Sequence, residues 1–235
     1  MDWLNQVLFG FYPYLALCVL VVGSVVRFDR EQYTWRTGSS QLLRRRQLVL
    51  GSILFHVGVL AIFAGHFVGL LTPLSVWEAL GVPHAAKQML AIVAGGAAGV
   101  LCLAGGLILL HRRMFDPRIR ANSSFGDAAI LALLIGQVSL GLTSIPVSLQ
   151  HADGSEMVKF MAWAQGIFTF RANSADLIAD ADLVFKAHIV LGLTILLAFP
   201  FTRLVHMLSA PVWYLNRRGW QIVRSKQLAA GRQTP

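Results

Sequence analysis

The sequence predicts an all-α membrane protein: a bundle of five transmembrane helices with its N-terminus outside and its C-terminus in the cytoplasm. Of its 235 residues, 56% are hydrophobic and only 13% are charged, which is typical of a chain that crosses a bilayer several times. Five apolar runs reach the length of about 20 residues that a spanning helix needs. They cover residues 4–26, 48–71, 87–110, 127–148 and 177–207. We expect residues 1–210 to form this one membrane domain and residues 211–235 to form a basic tail.

Several segments carry further signals. The first run lacks a basic leader and a small-residue cleavage site, so we expect a retained helix rather than a signal peptide. The third carries Gly95, Gly99 and Gly106, which indicate a surface for helix packing. The segment at residues 155–170 is apolar but short and contains a lysine and a glutamine. We expect it to be an interfacial or re-entrant element on the outer face.

The formal net charge is +9, and most of the basic residues lie in alternate connecting segments, which a five-helix bundle places on one side of the membrane. Six arginines lie between residues 27 and 46, four between 112 and 120, and six lysines or arginines from 203 onward, together 16 of the 20 cations. By the positive-inside rule these three regions are cytoplasmic, so the second and fifth helices run antiparallel. The charge thus indicates topology rather than a nucleic-acid partner. The basic tail, with its interleaved aromatic residues, is expected to lie on anionic lipid or to dock a soluble partner.

Four of the seven histidines lie inside predicted membrane helices: His56 and His66 in the second, His188 and His206 in the fifth. A lone buried histidine is more often a packed, hydrogen-bonded side chain, but two on each of two helices are harder to explain by packing, because polar groups at membrane depth are unfavourable. His66 lies about 15 Å further out than His56. Since the fifth helix runs the other way, we expect His66 opposite His188 and His56 opposite His206.

Two facing imidazoles indicate haem iron. They are too few for structural zinc, which takes four ligands, but suffice for haem, whose porphyrin supplies the other four, and imidazole is a usual axial ligand. Without a CxxCH attachment motif, two non-covalent b haems are expected. Small residues one turn from each histidine would let a flat ring approach the backbone, although membrane helices are rich in them anyway. They are Ser52, Gly69, Gly192 and Thr202.

The spacing on the fifth helix fits this arrangement least well. His188 and His206 are 18 residues apart, which is about 27 Å on an ideal helix against about 15 Å for the other two histidines. Pro200 lies between them, and we expect it to kink the helix.

Around these residues the chain resembles the gamma subunit of bacterial respiratory nitrate reductase, a dihaem cytochrome b that anchors the enzyme in the membrane. The resemblance covers nearly the whole chain. It is carried by QYTWRTGSSQ (32–41), LFHVGVLAIFAGHFVGLLTP (54–73), HRRMFDPRIRA (111–121), QHADGSEMVK (150–159) and HIVLGLTILLAFPFTRLVH (188–206). The family's axial ligands fall on His56 and His206 for the inner haem, and on His66 and His188 for the outer haem.

The resemblance implies electron transfer in the bacterial cytoplasmic (inner) membrane. In the family, quinol is oxidised near the outer haem, and electrons leave through an iron–sulfur beta subunit for a molybdenum-containing alpha subunit that reduces nitrate. The quinol, menaquinol or ubiquinol, is expected beside Lys87, the match to the family's quinol-site lysine, with Gly65 and Gly69 leaving room for its head group. Arg203 shares a face with His206 and is expected to pair with a propionate of the inner haem. Without the resemblance Lys87 would be interpreted as an ordinary snorkelling lysine, and snorkelling to the cytoplasm would explain Arg203 equally well.

Two other functions are consistent with parts of the sequence. One is the dihaem anchor of another quinone-linked enzyme, such as a formate dehydrogenase or a hydrogenase. The matched loop segments argue against this function, and so does the pairing of the second and fifth helices. The other is a transporter or proton channel with titrating membrane histidines. Such a relay usually includes deeply buried acids, whereas Asp180 and Asp182 lie near the outer mouth of the fifth helix.

Overall fold

The computed structural model describes residues 2–35, 43–151 and 153–209, and this part of the chain is helical, without a β-strand. Five of its helices are long and apolar enough to cross a membrane. We number them together with one shorter helix: α1, Trp3–Arg30; α2, Arg45–Leu71; α3, His84–Phe115; α4, Phe125–Gln150; α5, Ser155–Phe168; and α6, Leu183–Ala198. The all-α class and the five spanning helices are confirmed. The predicted basic tail lies outside the described residues.

The short helix α5 caps the bundle at the end where α2 finishes. It has 14 residues and is not among the five helices of spanning length and hydropathy. The side-chain amide of Gln165 donates to the carbonyls of Leu70 at 2.9 Å and Thr72 at 3.2 Å. These carbonyls lie at the C-terminal end of α2, where helical partners run out. α5 therefore supplies a hydrogen-bond donor to the C-terminal end of α2.

Helix α1 is also tied to α5. Pro13 has no amide hydrogen to donate to the carbonyl of Phe9, four residues earlier, and the chain is wound as a π-helix over Val7–Phe11. The Phe9 carbonyl accepts a hydrogen bond of 2.9 Å from the indole Nε1 of Trp163 on α5 instead. A carbonyl that the proline leaves free in α1 is thus used to hold α5 in place.

The spanning helices pack in the spatial order α2, α3, α4, α6, α1. α2 and α6 are not neighbours in this order, and across the described residues they share no extensive backbone packing. Side chains that α2 and α6 direct toward each other therefore face a common space between the two helices.

The closest helix contact joins α2 and α3, where the two backbones touch. A Cβ added at Gly58 would lie 2.5 Å from the backbone nitrogen of Cys102, and one added at Gly105 would lie 2.3 Å from the backbone nitrogen of Phe55. Neither position has room for a side chain, so glycine is required at both. Small residues at such positions let membrane helices approach closely.

The glycines predicted to form a packing surface on the third helix behave differently from one another. Gly99 and Gly106 face side chains of α4, Leu142 and Ile135. A Cβ added at Gly95 would meet nothing within 4 Å among the described residues, so its assignment to this surface is corrected. The backbone contact with α2 depends on Gly105 instead.

The fifth spanning segment is broken rather than kinked. α6 ends at Ala198, and two short 3₁₀ helices follow, Phe199–Phe201 and Arg203–Ser209, separated by an extended Thr202 (φ −119°, ψ 178°). Pro200 cannot donate to an α-helical ladder and clashes with its continuation. The prediction of one kinked helix over residues 177–207 is therefore corrected. The break accounts for the spacing of the two histidines, because His206 lies on a separate helix from His188.

Candidate functional site

The four membrane histidines meet in two pairs between α2 and the fifth spanning segment. The imidazole centroids of His66 and His188 lie 6.1 Å apart with their planes inclined by 35°, and those of His56 and His206 lie 6.4 Å apart at 72°. These are the two pairs expected from antiparallel second and fifth helices. The ten residues between His56 and His66 separate the pairs by about 15 Å along the bundle.

Three of the four rings are held in the same tautomer by a backbone carbonyl one turn earlier. The distances from Nδ1 to that carbonyl oxygen are 2.8 Å for His56 to Ser52, 2.9 Å for His66 to Ile62 and 2.6 Å for His206 to Arg203. A carbonyl only accepts hydrogen bonds, so Nδ1 carries the hydrogen and Nε2 keeps its lone pair. Such a bond at one ring nitrogen orients the other toward a metal.

His188 is held by α4 instead. Its Nε2 lies 3.3 Å from the amide nitrogen of Gln137, which is a donor, so Nε2 again has the lone pair. Its Nδ1 and the Gln137 Oε1 are buried without a hydrogen-bond partner in the described part of the chain. Gly141 lets α4 approach the ring, since a Cβ there would lie 3.1 Å from Cε1 of His188. α4 therefore contributes to the outer pair.

The donor set fits haem iron. Two metal–nitrogen bonds of about 2 Å, together with the radii of two imidazoles, place ring centroids roughly 6 Å apart. The pairs are at 6.1 and 6.4 Å. Among residues 2–35, 43–151 and 153–209, no group of three or more His, Cys, Asp or Glu could hold a metal ion. Two imidazoles per site are incomplete for structural zinc and complete for a porphyrin-bound iron.

Lys87 is buried near the end of α2 that carries His66, with only 5% of its surface exposed. Its Nζ donates to the Gly69 carbonyl at 3.0 Å and to Sδ of Met161 at 2.7 Å, and it lies 4.7 Å from the centroid of the Trp77 ring. The structure thus brings Lys87 to Gly69, one turn beyond His66. A snorkelling lysine would place its ammonium in water, so this burial argues against that interpretation.

The glycines expected near the quinol lie on an open face of α2. A Cβ added at Gly65 or Gly69 would meet nothing within 4 Å among the described residues. Neither glycine is needed for helix packing, in contrast to Gly58 on the same helix. Contacts between the described helices therefore do not require glycine at either position.

Arg203 lies three residues before His206 on the same 3₁₀ helix, and residues at this spacing are eclipsed. Its Nη1 lies 3.7 Å from Oδ1 of Asp127, whose Oδ2 lies 3.7 Å from Nη1 of Arg113. Among the described residues, two guanidinium groups share one carboxylate, so the three side chains together carry one net positive charge. That charge suits an anionic group near the inner pair. The pairing of Arg203 with Asp127 was not anticipated from the sequence.

A second charged cluster joins α5 to the loop before α6. Nζ of Lys159 lies 2.7 Å from Glu156 and 2.8 Å from Asp180. The hydrogen bond to Asp180, followed by that to Glu156, raises the pKa of Lys159, and the same bond lowers the pKa of the Asp180 carboxyl. Both groups therefore stay charged through the neutral pH range, and the loop leading to His188 stays attached to α5.

Several residues of the site were missed by sequence reasoning. Gln137 had a usable signal, because it is an amide in an otherwise apolar membrane run. Gly141, Trp77 and Met161 had none, since glycine and large apolar residues are ordinary in membrane helices. Their proximity to His188 and Lys87 follows from helix packing alone.

Comparison with known proteins identifies the family. The family model for the nitrate reductase gamma subunit matches residues 5–226. The chain is 50% identical to the respiratory nitrate reductase 1 gamma chain of Escherichia coli (strain K12) over 226 residues, covering 96% of this chain and 100% of that protein. It is 37% identical to the nitrate reductase gamma chain of Bacillus subtilis (strain 168) over 213 residues, 91% of this chain and 95% of that one. The chain therefore belongs to the nitrate reductase gamma subunit family.

Proposed function

We propose that this chain is the quinol-oxidising cytochrome b subunit of a respiratory nitrate reductase. Membership of the gamma-subunit family supports a place in a nitrate reductase complex. One observation carries the finer proposal: four histidines form two pairs, at 6.1 and 6.4 Å, across helices that do not pack together. His66 and His188 would hold an outer haem b, and His56 and His206 an inner one.

When bound, haem iron at each pair would supply one-electron exchange at two depths of the membrane. The chain's own contribution is to orient the imidazoles. Carbonyl acceptors keep the hydrogen of His56, His66 and His206 on Nδ1, which leaves each Nε2 free for a metal. At His188 the amide of Gln137 occupies Nε2, and this contact must be given up when a metal is bound there.

Lys87 would bind the quinol beside the outer pair. Two of the partners of its ammonium are a thioether, which is a weak acceptor, and an aromatic ring, so a quinol oxygen can replace either with little loss. Donation from the ammonium to that oxygen stabilises negative charge on it and so favours release of the quinol proton. Oxidation of one quinol releases two protons and two electrons, and the open face at Gly65 and Gly69 admits the head group.

The proposed partners rest on membership of the gamma-subunit family, and the charge distribution indicates which end of the bundle they would bind. The end of the bundle rich in arginine is proposed to face the cytoplasm and to dock an iron–sulfur beta subunit and a molybdenum-containing alpha subunit that reduces nitrate. The opposite end, with Lys87 and α5, would face outside. The lipid of the bacterial inner membrane would surround the exposed apolar faces of the helices. Menaquinol or ubiquinol is the proposed electron donor.

Haem quantitation tests the assignment. In the purified complex, the pyridine haemochrome spectrum is expected to show two b haems per chain. His56→Ala and His206→Ala should each remove the inner haem, and His66→Ala and His188→Ala the outer one, because each change deletes one of the two histidines that would hold that haem.

His84→Ala is the matched control. His84 begins α3 at the outer end of the bundle, and its Nε2 lies 3.9 Å from Glu78. This variant should keep both haems. Two haems in all four ligand variants would contradict the assignment.

A further inference from the structure

Arg27 connects α1 to the break in the fifth spanning segment. Its Nη1 donates to the carbonyl of Pro200 at 2.6 Å and to that of Thr202 at 2.8 Å. Its Nη2 donates to the carbonyl of Thr34 at 3.0 Å. One guanidinium thus holds two carbonyls at the break, that of Pro200 in the first 3₁₀ helix and that of the extended Thr202, together with the loop that follows α1.

The break needs such a partner. α6 ends at Ala198 and Thr202 is extended, so the carbonyls of Pro200 and Thr202 lie outside any α-helical ladder. Unpaired carbonyls in a membrane are strongly unfavourable, and broken helices there depend on other groups to satisfy them. A guanidinium presents five donors in a rigid fork and stays charged, so it can bond two carbonyls at once, which a lysine ammonium does less well.

The surfaces of α1 and the break are also complementary in shape. A Cβ added at Gly23 would lie 2.9 Å from Cγ of Pro200, so glycine is required for the proline ring to pack on α1 one turn before Arg27. At the far end of the next 3₁₀ helix, Ser209 accepts a hydrogen bond from the indole of Trp35. The segment that carries His206 is thus held at both ends by α1 and the residues that follow it.

His206 depends on this arrangement more than the other three histidines. His56 and His66 lie on α2, and His188 lies on α6, all of them long helices. His206 lies on the seven-residue 3₁₀ helix Arg203–Ser209, and the direction of this helix is set by the break. We infer that Arg27 is a positioning residue for the inner site: by holding the Pro200 and Thr202 carbonyls, it fixes the helix that presents His206. The haem readout of this inference rests on the proposed function.

The test replaces Arg27 in the full complex. Arg27→Gln should weaken binding of the inner haem roughly 10–100-fold, as loss of a supporting contact to a metal ligand typically does. It should also shift that haem's midpoint potential and EPR signal. The outer haem should stay unchanged, because His66 and His188 lie at the other end of the bundle. Arg30→Gln is the control, since Arg30 is an exposed arginine of the same turn whose carboxylate contact is Asp29 at 3.8 Å.

Gly23→Ala provides a second route to the same result. It leaves Arg27 in place but pushes Pro200 away from α1, so it should disturb the inner haem selectively and less strongly. An inner haem that keeps its occupancy, potential and EPR signal in both variants would overturn the role of Arg27. Loss of both haems together would overturn a role specific to the inner site. A wild-type complex without haem would overturn the proposed function itself.

Discussion

Lys87 places a basic side chain in a buried, largely apolar environment. An ionised side chain is unfavourable in the membrane interior and usually marks a functional position. The partners of Lys87 are a backbone carbonyl, a thioether and an indole ring, and none of the three is a carboxylate. Its positive charge therefore remains available to an oxygen that carries negative charge, such as that of a quinol losing its proton.

Replacing Lys87 by methionine tests this directly. Lys87→Met keeps the length of the side chain and removes the charge, and we expect haem reduction by a menaquinol analogue to slow about 100-fold, the loss that follows removal of one donor to a developing oxyanion. Both haems should remain, since no axial ligand is lost. Stopped-flow spectroscopy measures the rate.

Lys186→Met is the control for this change. Lys186 lies near the start of α6 at the same end of the bundle, and its Nζ donates to the Ala179 carbonyl at 2.6 Å. This variant should reduce its haems at the wild-type rate. If Lys87→Met did the same, Lys87 would be a structural cation and the quinol site would lie elsewhere.

Gly141 offers a second test at the level of one residue. Gly141→Ala places a Cβ 3.1 Å from the His188 ring, and overpacking of this kind destabilises by about 1–3 kcal/mol. We expect a lower occupancy or a shifted potential of the outer haem alone, measured by optical redox titration. Gly136→Ala on the same helix meets Leu191 at an ordinary 3.7 Å and should leave both haems unchanged. An identical outcome for the two variants would count against a role for α4 in the outer site.

Among the helices, α2 and α3 form the contact with the strictest steric requirement. Gly105→Ala would place a Cβ 2.3 Å from the backbone of α2, where no flexible side chain can move aside. We expect a loss of roughly 1–3 kcal/mol in stability, seen as a lower Tm of the purified complex. Gly95→Ala on the same helix has open space and should leave the Tm unchanged, and an equal Tm for both variants would show that the two helices readily move apart.

The elements also show what the sequence could and could not reveal. Apolar length was enough to find every spanning helix, because the bilayer imposes one dominant requirement on such segments. Where each helix ends or breaks depends instead on hydrogen bonds between particular residues. The position of Pro200 indicated a distortion, but whether a proline kinks a membrane helix or ends it depends on partners for the freed carbonyls. Here those partners come from Arg27, far away in the sequence.

The histidine pairs were predictable for a similar reason, since charge gave the direction of each helix and depth followed from residue counting. The lateral neighbours were not predictable. Gln137 and Gly141 reach His188 because α4 packs between α3 and α6, and no periodicity in the sequence specifies that order. Lys87 could be assigned from the sequence to the same end of the bundle as His66, whereas its contacts with Met161 and Trp77 required the position of α5 and of the short helix Leu74–Ala79.

At the scale of the whole molecule, most arginines of the described residues lie at one end of the bundle. The contacts that establish this join α3 to the start of α2 through Arg112 and the Leu43 carbonyl, and α3 to α4 through Arg113 and Asp127. Arg203 reaches the same carboxylate from the fifth segment. The opposite end carries Lys159 with its two carboxylates. Such a separation of charge is what the positive-inside rule acts on, and it predicts the arginine-rich end in the cytoplasm.

Cysteine labelling tests that orientation. In a variant with Cys18 and Cys102 replaced by alanine, Arg171→Cys on the α5 side and Arg120→Cys on the arginine-rich side place exposed thiols at opposite ends. An impermeant maleimide added to spheroplasts should modify the first and spare the second, and detergent should expose both. The reverse pattern would invert the bundle and place the quinol site in the cytoplasm.

A third thiol, Arg224→Cys in the tail, decides whether α5 crosses the membrane. With 14 residues, α5 is about 21 Å long, short of the roughly 30 Å of a hydrocarbon core. If α5 stays on the outer side, five crossings separate the two termini, and the tail thiol should be protected like that at position 120. If α5 crossed the membrane instead, the added crossing would come before residue 171, so position 171 would be protected and the tail thiol would be labelled. α2 and α6 would then cross the membrane in the same direction. The predicted pairing of His56 with His206, and of His66 with His188, would have to be revised.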